Sequence, residues 1–411
     1  MKNLYTLILI LLTNLTFAQT DFKRIEKDIN YLSSDKLKGR FPGTKQELKA
    51  ADYIIKSFKK SGLKPKGDQN SFLQAFPFKV SKNPHATDDE MVSKGYAHNV
   101  VGYLDNGAKY TIVIGAHYDH LGLGLGGNSL DANPENKIHN GADDNASGTA
   151  GVMELARYFA TNNVTENHNF LFICFSAEEE GLLGSKYYTN NPSIVLNDVS
   201  LMINMDMIGR LNDSTKKIII SGVGTSPTWS NILANHQTNV ITYKADSAGM
   251  GPSDHASFYL KNIPALHFYT GTHTDYHKPT DDANKINNIG EAYVLNFIIS
   301  LLIDADKIEK LAFTPTKTNN SSSSSTSFKV TLGVIPDYAF DGKGLRLDGV
   351  SEGKAAQKAG LKQGDVIIMM DELAIENIQD YMKGLSKFSK GQTVQLKVNR
   401  EGKVLIIPAI F

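Results

Sequence analysis

Cysteine is nearly absent from this chain: Cys174 is the only one in 411 residues. No internal disulfide can form. The lone thiol sits in the apolar run Phe170–Phe175, where an inert, buried group on a strand is expected rather than a nucleophile. An excess of charge of one sign is missing too, because 43 basic and 43 acidic residues cancel. That gives no support for nucleic-acid binding, which usually brings a strong basic surplus. Long apolar runs are also lacking. The N-terminal one, Leu7 to Leu12, is much shorter than the ~20 residues that span a bilayer. With Lys2 before it and Thr16-Phe17-Ala18 after it, residues 1–18 have the form of a signal peptide cleaved before Gln19. No cysteine follows to carry a lipid anchor. The expectation is an exported protein, periplasmic or secreted, with no membrane span once the signal is removed.

At roughly 150 residues per domain, this length predicts two or three domains. One boundary is plain. Residues 314–327 read TPTKTNNSSSSSTS, a polar tract without apolar periodicity that cannot bury a core and serves as a linker. It divides a large domain, 20–313, from a small one, 328–411. In the large domain strand-like segments (110–116, 170–175, 200–205, 217–220, 264–268) alternate with helix-like ones (147–160, 181–189, 290–303). That alternation predicts an α/β fold with a mostly parallel sheet flanked by helices. In such sheets the chemistry lies beyond the carboxyl ends of the strands.

Acidic residues and histidines gather at those ends. His117 and Asp119 close the strand at 110–116. Asp143 and Asp144 precede a helix, where by themselves they could serve only as caps. Glu178 and Glu179 follow the 170–175 strand, Asp206 follows the next, and His277 follows the last. Imidazole and carboxylate donors without thiolate suit zinc or another divalent ion. Two histidines and three carboxylates are too many for one four-coordinate catalytic site. They suit two ions about 3.5–4 Å apart, sharing a carboxylate and a water. Alternation along an extended segment would let Asp119 support His117 by accepting its second ring N–H. Of Glu178 and Glu179, one can ligate while the other takes a proton.

The run HYD, GADDNASG, AEEEGLLGS, NMDM, SDHASF, YHKPTD resembles the co-catalytic di-zinc exopeptidases of clan MH, bacterial leucyl aminopeptidases among them, from about residue 35 to 310. The resemblance implies two zinc ions. His117, Asp144 and Asp206 would hold one; Asp144, Glu179 and His277 would hold the other. It makes Glu178 the general base, acting on a metal-bridged water, and implies cleavage of N-terminal residues from peptides with a free N-terminus. Where some members carry a carbonyl-polarising Tyr, this chain has Met250; other members place it just before the last histidine, which Tyr276 fits. Family members often have a cis peptide after the bridging Asp, here Asp144–Asn145. Asp254 and His255 match a turn that supports the site. The glycine-rich loop from 121 to 127 and the segment up to His139 are placed beside the substrate pocket.

Residues 328–411 resemble a bacterial PDZ domain. Thr331-Leu332-Gly333-Val334 is similar to its carboxylate-binding loop, and Ala355 to Ile367 to its AAKAGLKxGDVI-like segment. The resemblance implies a groove for a peptide C-terminus or a protein partner. Three other activities stay open: a glutaminyl cyclase on the same fold with one zinc, a carboxypeptidase of the same fold, and a non-catalytic peptide binder acting through the PDZ groove. For a carboxypeptidase no arginine cluster is evident, although Arg210 lies near Asp206.

Overall fold

The computed structural model describes residues 20–81, 91–126, 128–236, 240–316, 330–336, 340, 342–350, 354–376 and 378–411. The expected signal peptide and most of the Ser-rich linker lie outside them.

Nine strands form the large sheet: β1 (Lys64–Pro65), β2 (Leu73–Ser81), β3 (Met91–Leu104), β4 (Thr111–His117), β5 (Asn169–Phe175), β6 (Val199–Met205), β7 (Lys217–Ser221), β8 (Thr242–Ala245) and β9 (Ala265–Tyr269). Their order is β1-β3-β5-β4-β6-β9-β7-β8, with β2 beside β3. The four central strands, β5, β4, β6 and β9, run parallel. Every residue of β4, β5 and β6 is buried. A parallel strand covered on both faces has no polar side, so these segments read as unbroken apolar runs instead of alternating ones.

Seven helices cover the faces: α1 (Phe22–Leu32), α2 (Lys45–Lys60), α3 (Gly148–Thr161), α4 (Leu183–Asn190), α5 (Thr228–Ala234), α6 (His255–Tyr259) and α7 (Asn288–Asp306). Ile112 and Ile114 of β4 join one core with residues of α1, α2, α3, α5 and α7. Val113 points the other way, into a core with Tyr188 of α4 and Phe258 of α6. The α/β class with helices flanking the sheet is the one the sequence pattern predicts, but the sheet is mixed: β1–β3, β2–β3, β3–β5 and β7–β9 pair antiparallel around the parallel centre.

One expectation needs correction. No later segment is expected to be long and apolar enough to cross a membrane, yet α7 is. Most of its apolar residues are buried, packed against α1, α3 and α5, while Ile289, Tyr293 and Ile303 are exposed. A helix this rich in apolar residues suits a largely buried position in a large core.

The small domain holds β10 (Val334–Pro336), β11 (Leu345–Val350), α8 (Ala355–Lys358), β12 (Val366–Met370), β13 (Leu373–Ala374), α9 (Ile378–Leu385), β14 (Thr393–Arg400) and β15 (Lys403–Ile410). Its strands form a second sheet around a separate apolar core. Residues 314–316, the start of the polar tract, hydrogen-bond back to the large domain through Thr225, Gly249 and Tyr259.

Candidate metal centre and active site

β4, β5, β6 and β9 end on the same edge of the sheet, so His117, Glu178, Glu179, Asp206 and the loop to His277 converge there. Asp144 arrives from the turn Ala142–Ser147 that leads into α3. Its Oδ1 lies 3.4 Å from His117 Nε2 and its Oδ2 3.2 Å from His277 Nε2. Asp206 Oδ1 is 3.4 Å from His117 Nε2, and Glu179 Oε2 is 3.0 Å from His277 Nε2. Asp144 therefore stands between two donor groups. Neither Asp143 nor Asp144 caps α3 through its side chain.

The turn holding Asp144 is clamped from three sides. Asp281 Oδ2 accepts the N–H groups of Asp143 and Asp144, at 2.9 and 3.1 Å. Asp143 accepts from Gly209 N–H at 2.7 Å and faces His273 Nε2 at 3.1 Å. Arg40, fully buried, donates to the carbonyls of Leu32, Tyr118, Asn140 and Gly141 at 2.6–3.0 Å. Gly141 has φ +56, and a Cβ there would lie 2.1 Å from Asp144 O. Only glycine fits. Four non-glycine residues around the cavity share the left-handed region: Ala177, Leu182, Met207 and His277 itself. Such backbone costs about 1–3 kcal/mol each and clusters at functional sites. The Asp144–Asn145 peptide is cis.

His117 is 3.9 Å from Glu178 Oε2 through its Nε2. Burial pushes the Glu178 carboxyl well above its usual range, and the carboxylates of Asp206, Asp254 and Glu179 add to this against the opposing His117. For Asp144 burial acts in the same direction, but His117 and His277 outweigh it and hold this carboxyl well below the usual range. Asp119 is placed differently from the expectation. β4 stops at His117, alternation is lost, and the Asp119 carboxylate lies 3.7 Å from His117 Nδ1. That nitrogen instead faces the Asp119 carbonyl at 3.3 Å, while the carboxylate accepts the Glu178 backbone N–H at 3.1 Å.

Sequence reasoning missed His120. It is fully buried, and its Nδ1 lies 2.6 Å from Glu179 Oε1 and 4.0 Å from Asp144 Oδ2. Two imidazoles thus flank the Asp144–Glu179 pair. The signal was its place three residues after His117, just past the strand end. Arg210 pairs with Asp281 at 2.9 Å and Asp275 at 3.4 Å, so it is already engaged by acidic groups of the protein.

A cavity of about 460 Å³ opens onto this cluster. It is lined by His117, Asp144, Glu178, Glu179, Asp206, Tyr276 and His277, and further out by apolar groups such as Leu130, Met207 and Ile219. The Tyr276 ring stacks on His277 at 3.9 Å between centroids. The lining carries four carboxylates and neither lysine nor arginine. Imidazole and carboxylate donors this close, with no cationic side chain among them, fit divalent metal ions: His117, Asp144 and Asp206 form one candidate group, and His120, Asp144 and Glu179 another.

In the small domain Leu332 is buried and its carbonyl accepts from Ala356 N–H at 2.7 Å. Gly333 has φ +73, and its N–H donates to Thr331 Oγ1. Val334 opens β10 and also lines the cavity.

The fold is similar to that of a leucine aminopeptidase precursor from Bacteroides thetaiotaomicron (TM-score 0.56, 17% identity, covering 70% of this chain and 99% of that one). It is similar also to that of Porphyromonas gingivalis glutaminyl cyclase (TM-score 0.53, 18% identity, 70% and 99%). In sequence, leucine aminopeptidase 2 of Trichophyton rubrum is 30% identical over 187 residues. That alignment covers 42% of this chain and 36% of the relative, so the chain spans about a third of the curated relative's length. Residues 99–300 match the family model for peptidase family M28, and residues 319–408 the one for the PDZ domain. The chain carries a peptidase family M28 domain followed by a PDZ domain.

Proposed function

We propose that this protein is an exported, zinc-dependent aminopeptidase that removes N-terminal residues from peptides. The observation that carries the reading is the sharing of Asp144 between two donor groups, His117 with Asp206 on one side and His277 with Glu179 on the other. One shared carboxylate suits a pair of zinc ions. When bound, such ions supply Lewis-acid polarisation of the scissile carbonyl and acidify a water.

The chain's own residues do the rest. Glu178 reaches into the cavity from the β5 loop, outside both donor groups. It takes a proton from the attacking water and returns it to the leaving amine. Its upward-shifted carboxyl suits both halves of that transfer. Tyr276, stacked on His277, donates to the oxygen that becomes negative. The carboxylates lining the cavity attract the substrate's free α-ammonium group. The PDZ domain holds a peptide C-terminus or a partner by strand addition beside β10.

The test is hydrolysis of aminoacyl anilides by the zinc-loaded protein, with N-acetylated and N-terminal-Gln peptides as controls. Free-amine substrates should be cleaved with two ions bound, and Glu178→Gln should lower kcat by about 10²–10⁴ without loss of metal. Cyclisation of N-terminal Gln with a single ion bound would move the assignment to a glutaminyl cyclase. Absence of turnover at full metal content would leave a peptide-binding protein.

A further inference from the structure

The cavity wall away from the metal ligands is built by β7 and β9. In their antiparallel register Ile219 faces Tyr269 and Ser221 faces His267. Side chains opposite one another share a face of the sheet, and all four line the cavity. His267 is 7% exposed, and its Nε2 has no hydrogen-bond partner among the described residues. Its ring stacks between His255, at 4.7 Å and 14°, and Tyr269, at 6.0 Å and 22°. His255 lies behind it, fully buried, with both ring nitrogens also unpartnered.

A buried polar group without a partner costs free energy, and an apolar ring of the same shape would pack here at no such cost. An imidazole in this wall is explained when its partner arrives with the ligand. Burial pushes both imidazoles down from their ordinary value, so both rings are neutral at neutral pH. The carboxylates in the lining all belong to the candidate metal ligands and Glu178, and of these Asp206 acts on His267. A cationic side chain finds no carboxylate here outside that cluster, and an anionic one finds no lysine or arginine in the lining. Met207, Ile219 and Pro252, which also line the cavity, suit a short methylene stem. A carboxamide offers both donors and an acceptor, so it satisfies either tautomer of the ring.

We propose that His267, with Ser221 beside it, determines specificity by hydrogen-bonding the side-chain carboxamide of the substrate's N-terminal residue, favouring glutamine and asparagine over apolar residues of similar size. This rests on the aminopeptidase reading and sharpens it. The experiment compares kcat/KM for glutaminyl, methionyl and leucyl anilides, with the released amino acid identified. Methionine matches glutamine in length but lacks its amide. The wild type should favour Gln over Met, and His267→Phe should lower the Gln-to-Met ratio about tenfold. Ser221→Ala should lower it less, and it carries the test if His267→Phe does not fold. His267→Asn, which keeps a hydrogen-bonding end, should retain part of the preference.

An unchanged ratio in His267→Phe and Ser221→Ala, or an equal loss on both substrates, overturns the inference and leaves the aminopeptidase standing. Release of none of the three residues by the wild type overturns the activity and the inference with it.

Discussion

In the PDZ domain Asp365 is the one buried charged side chain among the described residues. Both its oxygens are bonded, to Arg400 at 2.7 Å each and to Lys362 N–H at 2.9 Å. The peptidase domain is built on another principle. It buries His117, Asp119, His120, Asp143, Asp144, Asp254, His255 and Glu291, and several of their polar atoms have no partner. Every unpartnered buried atom among the described residues lies in this domain. Each such group costs about 1–3 kcal/mol, a load the large cores of nine strands and seven helices can carry. A domain of about 85 residues buries too little apolar surface for that. The difference separates the two domains: among the described residues the small one satisfies its buried polar groups internally, and the large one leaves some open, His267 of the cavity wall among them.

The widest separation between the domains is expected on metal removal. Ions that bind only the folded state stabilise by about 4 kcal/mol at a thousandfold excess over Kd. For a domain of this size that corresponds to about 10 °C in Tm. Exhaustive chelation should therefore lower the peptidase transition by about 10 °C in a calorimetric scan of the full chain and leave the PDZ transition in place. Asp144→Asn should give the same pattern with zinc present. A common shift of both transitions, or of neither, would break the contrast.

Arg40 offers a sharper probe of how the cluster is held. Burial pushes its guanidinium down to about 10, so it stays charged at neutral pH. It is the donor for four carbonyls, two of them, Asn140 and Gly141, just ahead of Asp144. Arg40→Leu strands all four and should cost the peptidase domain about 3–5 kcal/mol in urea unfolding. A loss below about 1 kcal/mol would mean that water replaces the guanidinium, and that the turn needs no buried donor.

These contrasts also mark what could be read in advance. The strands announce themselves because a buried parallel strand is apolar throughout, and His117, Asp206 and His277 stand out as polar residues just where such runs end. Asp144 and Glu179 were legible from their motifs. Nothing local marks Arg40, because its partners lie up to 101 positions away and no local periodicity encodes them. Asp281 closes the motif YHKPTD, but its hold on the N–H groups of Asp143 and Asp144, 138 and 137 positions away, was hidden for the same reason. Asp119 was placed by an alternation that holds only while the strand continues, and β4 ends two residues too soon. His267 sits within a strand pattern, where the register with β7 and the stack on His255 have no trace in local sequence.

The PDZ domain should respond to pH through the single pair that sets it apart. Burial alone would push the Asp365 carboxyl up, but hydrogen bonds from Arg400 and Lys362 N–H more than offset this and leave it below its usual value. A carboxyl depressed in the folded state binds its proton later than in the unfolded chain. Its stabilisation is complete above the unfolded value near 3.8 and is lost as pH falls through the folded one. Arg400→Leu removes the cause. At pH 7 it should cost the PDZ transition about 1–2 kcal/mol. As pH falls below about 4 the gap to the wild type should narrow, because the wild type then loses the same contribution. The peptidase transition should be the same in both proteins at each pH. A gap that stays constant through this window would show that Arg400 acts through packing of its stem and not through its charge.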